Sequence, residues 1–203
     1  VQRALRTVRA RSESLGLDPN RIGVCGFSAG GHLAATAGVH FDAGRADAED
    51  AVDRVSSRPD FMILGYPVIA MGETYTHGGS QRNLLGTDPP PELVAHMSLE
   101  KQVRTNTPPA FLFHSRDDRS VPLENSQVFH RALREAGVPA ELRVYPSGGH
   151  GYGLGRDKGE AAGWPAACAN WLRKEGFRSA VGAAAGGEPR PNFLFIIADD
   201  QSP

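Results

Sequence analysis

Apolar residues follow two rhythms along this chain, and each change of rhythm marks an element boundary. Val1, Ala4, Leu5, Val8 and Leu15 recur at helical spacing while Arg3, Arg6, Arg9 and Arg11 stand largely off that stripe, so residues 1–15 read as an amphipathic helix. Gly16 supplies its stop, and Asp18-Pro19-Asn20 turns the chain toward a short apolar run, Ile22 to Gly26. That run reads as a buried strand, and the Ala-rich Leu33–Ala37 that follows has good helix propensity. Residues 42–57 are polar and acid-rich, a surface loop or short helix. Phe61–Tyr66 is a second buried strand, ended by Pro67. Residues 67–109 are punctuated by prolines and glycines around short helical pieces, Ser80–Leu85 and Glu92–His96. A connection that long is more often functional than idle, and it reads as a substrate-side cap. Three more elements follow: a strand at Ala110–His114, a helix at Leu123–Ala136 carrying Val128, Phe129, Ala132, Leu133 and Ala136 on one face, and a strand at Glu141–Tyr145. A helix over about Glu160–Lys174 packs Trp164, Cys168, Trp171 and Leu172.

Strands alternating with helices predict an α/β protein with a doubly wound, mostly parallel sheet. Such a sheet normally has strands before the first helix–strand pair met here, so the N-terminal strands are expected to be missing. The same reasoning leaves the Ile22–Gly26 strand with an open, aggregation-prone edge and predicts a poorly soluble or weakly folded fragment. At 203 residues and 40% hydrophobic content there is enough chain for one core. A net charge of −1 without a Lys/Arg block gives no footprint for nucleic acid or an anionic membrane surface. No run reaches the length of a membrane span, and the N-terminus lacks signal-peptide design. Two cysteines, Cys25 and Cys168, define no disulfide framework.

The chemistry enters at Gly26-Phe27-Ser28-Ala29-Gly30, a Gly-x-Ser-x-Gly set between a strand and a helix. In a nucleophile elbow the serine sits on strained backbone, and the positions two before and two after it must be tiny where strand and helix converge. The turn puts the Ser28 hydroxyl at a helix start, where the Ala29 N–H is the natural first donor to a developing oxyanion. A serine hydroxyl is a weak nucleophile, so it needs an imidazole to take its proton and a carboxylate to hold that imidazole. The glycine-rich loop Ser147–Gly153 presents His150, and the loop after Ala110–His114 presents two acids, Asp117 and Asp118. Asp118 is preferred because Asp-x-x-Val-Pro sets the carboxylate at the turn, with Val121 and Pro122 anchoring the return. The order Ser28, Asp118, His150 is the one that accompanies such elbows. The remaining histidines, including His32, His40, His96, His114 and His130, read as structural, with His32 packing under the site.

The stretches Gly26–Ala34, Tyr66–Ile69, His114–Pro122 and Gly148–Gly153 together resemble bacterial α/β-hydrolase esterases of the acetyl-xylan esterase type, over about residues 1–178. The resemblance implies an α/β-hydrolase fold and deacetylation of carbohydrate esters, with Ser28 as nucleophile, Asp118 as orienting acid and His150 as base. It also implies an acylated carbohydrate or small ester as substrate, no cofactor for this domain, and a secreted or periplasmic setting. The family takes further oxyanion donors from a Gly-rich loop after an early strand, and no such loop precedes Ser28 in residues 1–27. The alternatives are a catalytically silent piece of a larger polysaccharide-degrading protein, or a serine peptidase or thioesterase on the same scaffold. A binding module would be expected to have lost part of the triad.

Beyond an Ala/Gly-rich linker at 179–190, residues 191–203 resemble the first strand of sulfatases of the alkaline-phosphatase-like superfamily. In that resemblance Asp199 and Asp200 would be ligands for a divalent cation, Ca²⁺ or Mg²⁺, in a complete domain. The pattern is read as the start of a further domain, with a stray last strand of the hydrolase as the lesser alternative. Neither Cys25, Cys168 nor any serine sits in a Cys/Ser-x-Pro-x-Arg motif, so no sulfatase activity is expected.

Overall fold

The computed structural model describes residues 1–177 and the strand at 192–195. Helix α1 spans Gln2–Ala10, and strand β1, Ile22–Phe27, leads into α2, Ala29–Val39. Strand β2 is Phe61–Gly65; the cap that follows holds α3, Gly78–Leu85, and α4, Pro91–Met97. Next come β3 at Ala110–Ser115, α5 at Glu124–Glu135, β4 at Ala140–Tyr145, α6 at Trp164–Lys174 and β5 at Asn192–Phe195. The strands form one sheet in the order β4-β3-β2-β1-β5, and every pairing is parallel.

A parallel sheet covered on both faces explains why β1, β2 and β3 read as near-continuous apolar runs. Alternate residues feed two cores. Val24, Met62, Leu64 and Leu112 meet Ala34 and Ala35 of α2 and Phe129 and Leu133 of α5. Cys25, Phe61, Ile63, Phe111 and Phe113 meet Trp164, Cys168, Trp171 and Leu172 of α6, where Phe113 stacks on Trp164 at 4.1 Å between ring centres. Both cysteines are free and buried. Among the described residues, no helix is long and apolar enough to cross a membrane.

Several elements depart from expectation. The first helix stops at Ala10, not Leu15, because Leu5 is the residue it buries, with Val1 and Val8 packed beside it, while Leu15 is 54% exposed. Without an apolar anchor the chain tightens into successive turns ending at Gly16. The acid-rich loop proves to be the counterpart of α1: Arg3 pairs with Asp50 at 2.6 Å and Asp53 at 2.7 Å, and Arg6 pairs with Asp42, while beyond the loop Arg9 pairs with Asp60, just before β2, at 3.0 Å. The helix expected from Glu160 opens as a 3₁₀ turn over Gly159–Gly163, and α6 proper starts at Trp164 with Pro165 in its first turn. The open edge expected at Ile22–Gly26 is also corrected. β1 is paired on both sides, with Gly23 opposite Phe61 in β2 and opposite Phe193 in β5. The linker expected at 179–190, and Asp199 and Asp200, lie outside the described residues.

The cap is tied to the sheet by two buried polar side chains. Asn125, at the start of α5, accepts the Ile69 and Ala70 N–H groups at 3.0 and 3.1 Å and donates to the carbonyls of Tyr75 and Pro122. Ser98 Oγ accepts from the Met71 N–H and donates to the Met71 carbonyl. These bonds hold residues 69–75 against the sheet end, and Val68, Met71 and Val121 pack together beneath α4.

Candidate active site

At the end of β1 the backbone turns so sharply that Ser28 adopts φ 54° and ψ −123°. A non-glycine residue there carries strain of about 1–3 kcal/mol, and the surroundings must fix it. They do so through the backbone: the Ser28 N–H donates to Gly65 O, and its carbonyl accepts from Gly31, His32 and Val68 N–H. Gly26 shows why the flanks must be small. A Cβ on it would lie 2.0 Å from the Gly30 carbonyl oxygen and 2.9 Å from Ala34 Cβ. The Ala29 N–H heads α2, one of the first-turn donors that no carbonyl within the helix can reach.

The structure brings Ser28, His150 and Asp118 together. Ser28 Oγ is 2.8 Å from His150 Nε2, and His150 Nδ1 is 2.7 Å from Asp118 Oδ2. An ionised carboxylate can only accept, so Nδ1 carries the proton and Nε2 is left to accept from the serine hydroxyl. The Asp118 side chain is fully buried, while His150 keeps 22% exposure. Burial alone would raise the Asp118 carboxyl, but hydrogen bonds from His114, His150 and the Val121 N–H hold it well below the usual carboxylate range. Its Oδ1 accepts from Ser120 and Val121 N–H at 2.9 and 3.0 Å, the anchoring that Asp-x-x-Val-Pro implies. Asp117 does not face the imidazole; its Oδ1 accepts the Gly149 N–H at 2.9 Å and steadies the histidine loop.

Three contributors escape the sequence reading. Tyr66, at φ 35°, packs its ring 4.9 Å from the His150 ring and accepts the Gly153 N–H on its hydroxyl at 3.0 Å. Trp164 donates to Gly153 O at 2.8 Å, so the loop is held at both ends. His114 was expected to be structural, yet its Nε2 lies 3.2 Å from Asp118 Oδ2. A buried imidazole at the end of a strand, four residues before a candidate acid, was the signal available for it. His32 bonds the Met97 carbonyl through Nε2 at 3.0 Å, and burial lowers its pKa. The His40 and His96 rings lie 4.2 Å apart between centres, tilted at 34°. A cleft of about 320 Å³ adjoins Ala29, walled by Leu33, Met71, Leu84 and Met97.

A serine on a strand-to-helix elbow, bonded to a loop histidine that is bonded in turn to a buried aspartate at the end of a parallel strand, has the architecture of an α/β-hydrolase, and the solved structures it resembles share that fold. The chain belongs to the BD-FAE family, which matches residues 1–133. That match includes Ser28 and Asp118; His150 lies beyond it. Endo-1,4-beta-xylanase B of Butyrivibrio fibrisolvens is 42% identical over 78% of this chain and 25% of its own length. An acetylxylan esterase of Xylanibacter ruminicola is 36% identical over 76% of this chain and 31% of its own. The crystal structure of an acetyl ester-xyloside bifunctional hydrolase from Caldicellulosiruptor lactoaceticus superposes with a TM-score of 0.85 at 50% identity, covering 87% of this chain and 64% of that one. The chain thus spans about a quarter to a third of those two curated relatives.

Proposed function

We propose that this chain carries the nucleophile, base and acid of a serine carboxylesterase that removes acetyl or similar short acyl groups from carbohydrates such as xylan. The observation behind the reading is the unbroken hydrogen-bond chain from Ser28 Oγ through His150 to Asp118, at 2.8 and 2.7 Å. The relatives named as an acetylxylan esterase and an acetyl ester-xyloside hydrolase support the sugar ester as substrate.

In this reading Ser28 Oγ attacks the ester carbonyl carbon as its proton passes to His150 Nε2. The tetrahedral oxyanion takes the Ala29 N–H, and Asp118 remains ionised and stabilises the imidazolium. Collapse breaks the bond to the sugar oxygen, which leaves with the proton from Nε2. Water then attacks the acyl-serine, giving its proton to His150, and the second collapse returns that proton to Ser28 and releases the carboxylic acid. The cleft beside Ala29 is where the acyl group would lie. Asp199 and Asp200 take no part in these steps.

The test is hydrolysis of a 4-nitrophenyl acetate and of acetylated xylo-oligosaccharide, with fluorophosphonate labelling of the same samples. Ser28→Ala is expected to abolish labelling and reduce turnover to the solvent background. Undiminished turnover in that variant would refute the assignment.

A further inference from the structure

We propose that His114 is a second imidazole of the site, a positioning residue that acts on His150 through the carboxylate oxygen they share. The inference rests on the esterase reading for its consequence in turnover, but its geometry stands apart from it. His114 has no solvent exposure, and an imidazole taken out of water needs partners at both nitrogens. Nδ1 is 2.8 Å from Ser126 Oγ on α5. Nε2 faces two oxygens, the Val121 carbonyl at 3.0 Å and Asp118 Oδ2 at 3.2 Å. Neither oxygen has a proton to give, so Nε2 carries the hydrogen. In the neutral ring Nδ1 then accepts the Ser126 hydroxyl.

Asp118 is thereby closely surrounded. Its Oδ1 accepts two backbone N–H groups and its Oδ2 accepts the His150 Nδ1–H, while the one Nε2–H of His114 is shared between the nearer Val121 carbonyl and the same Oδ2. An oxygen already accepting from His114 has less proton affinity to spend on His150. Two consequences follow: the Nδ1 proton stays on the His150 ring through the reaction, and the carboxylate cannot rotate away from it. The other groups around the pair do not mimic this. Ser28 faces His150 from the elbow, and Asp117 meets the loop at Gly149. The Tyr66 and Tyr152 phenols are pushed up by burial and so stay neutral.

The experiment uses the full chain with three variants. His114→Phe keeps a ring of similar volume without a donor, His114→Met is the second donor-free variant should the first not fold, and His114→Gln offers an amide N–H that reaches the same oxygen. Two readouts are taken. One is the proton NMR resonance of His150 Nδ1–H, assigned by its loss in His150→Asn; the other is the pH profile of kcat/KM. Without the His114 donor, Oδ2 binds the His150 proton more strongly. The resonance moves downfield and the acid limb moves to higher pH by about one unit, a tenfold change in proton affinity. His114→Gln restores both. An unmoved resonance in a folded donor-free variant, or a glutamine variant that behaves like the phenylalanine one, overturns the proposal. The NMR readout needs no turnover, so loss of the esterase reading would appear separately, as undiminished hydrolysis by Ser28→Ala.

Discussion

Replacing Asp118 by asparagine should do more damage than the loss of one charge suggests, and the surroundings of the carboxylate say why. Oδ1 accepts two backbone N–H groups, from Ser120 and Val121, and those donors require an oxygen. The asparagine amide will therefore turn its carbonyl toward them and its NH₂ toward the place of Oδ2. There it meets His150 Nδ1, now 2.7 Å from a carboxylate oxygen, and His114 Nε2 at 3.2 Å. A donor facing Nδ1 favours the tautomer with its proton on Nε2, which points at Ser28 Oγ and cannot accept from it. Trapping the wrong tautomer in a serine triad lowers kcat by about 10⁴, or about 5.4 kcal/mol of transition-state stabilisation. Asp117→Asn keeps its carbonyl oxygen for the Gly149 N–H, so its loss should stay within about tenfold, the equivalent of one weakened neutral hydrogen bond. Steady-state kcat on an acetyl ester, measured side by side with circular dichroism on both variants, tests the ranking. If Asp118→Asn retains turnover within tenfold of the parent, or if Asp117→Asn is the more damaged, the tautomer reasoning is wrong.

Other consequences can be measured on stability. Gly26→Ala places a methyl group 2.0 Å from the Gly30 carbonyl oxygen, a backbone atom that cannot step aside, and should lower stability by about 3 kcal/mol or more; an unchanged melting temperature would contradict the close approach. Asn125→Ala strands the buried Ile69 and Ala70 N–H groups at about 1–3 kcal/mol each, so urea unfolding should show a loss of about 2–6 kcal/mol. Asp118 titrates below the usual carboxylate range in the folded chain, so its ionisation stabilises the fold at pH above the ordinary carboxyl value and that contribution fades as acid is added. Stability measured from about pH 5 downward should therefore fall more steeply in the parent than in Asp118→Asn, and parallel curves would count against the buried, fully bonded carboxylate.

What could be read in advance was local. The Gly-x-Ser-x-Gly elbow is a five-residue constraint, since its strain and its close approach both arise between neighbours in sequence, and Asp-x-x-Val-Pro closes its own turn through Asp118 Oδ1. What escaped depends on contacts between residues far apart in the chain. Asn125 looks like an ordinary polar residue at a helix start, because two of its acceptor bonds reach backbone 55 and 56 residues away. The acid-rich loop looks like solvated scaffold until α1 brings its arginines to Asp42, Asp50 and Asp53. The free edge expected on β1 assumed a neighbour supplied from before it, whereas the paired strand comes from residues 192–195. The place of His114 at a strand end, four residues before the acid, is only a hint, since a merely packed imidazole could stand there too; the 3.2 Å approach to Asp118 is what separates the two.

The geometry also explains why the histidine loop is built of glycine. Ser28 leaves β1 and His150 comes from beyond β4, and in the order β4-β3-β2-β1 these strands are three spacings apart, about 14 Å. The loop must therefore reach back across the ends of β3 and β2 to put Nε2 within 2.8 Å of Oγ. Five residues from Tyr145 to His150 can span at most about 17 Å, so little slack remains. Space excludes a side chain at Gly148, where a Cβ would meet Ser115 Oγ at 2.3 Å, whereas Gly149, Gly151 and Gly153 stand in open space and are needed for their positive φ of 68°, 69° and 50°. Glycine gives the reach but also the freedom to lose it. That freedom is removed from outside the loop, by Asp117 at the Gly149 N–H, Asp118 at Nδ1, and Tyr66 and Trp164 at Gly153. The imidazole is consequently positioned by residues that follow β2 and β3 and by α6, and its own segment contributes chiefly the length.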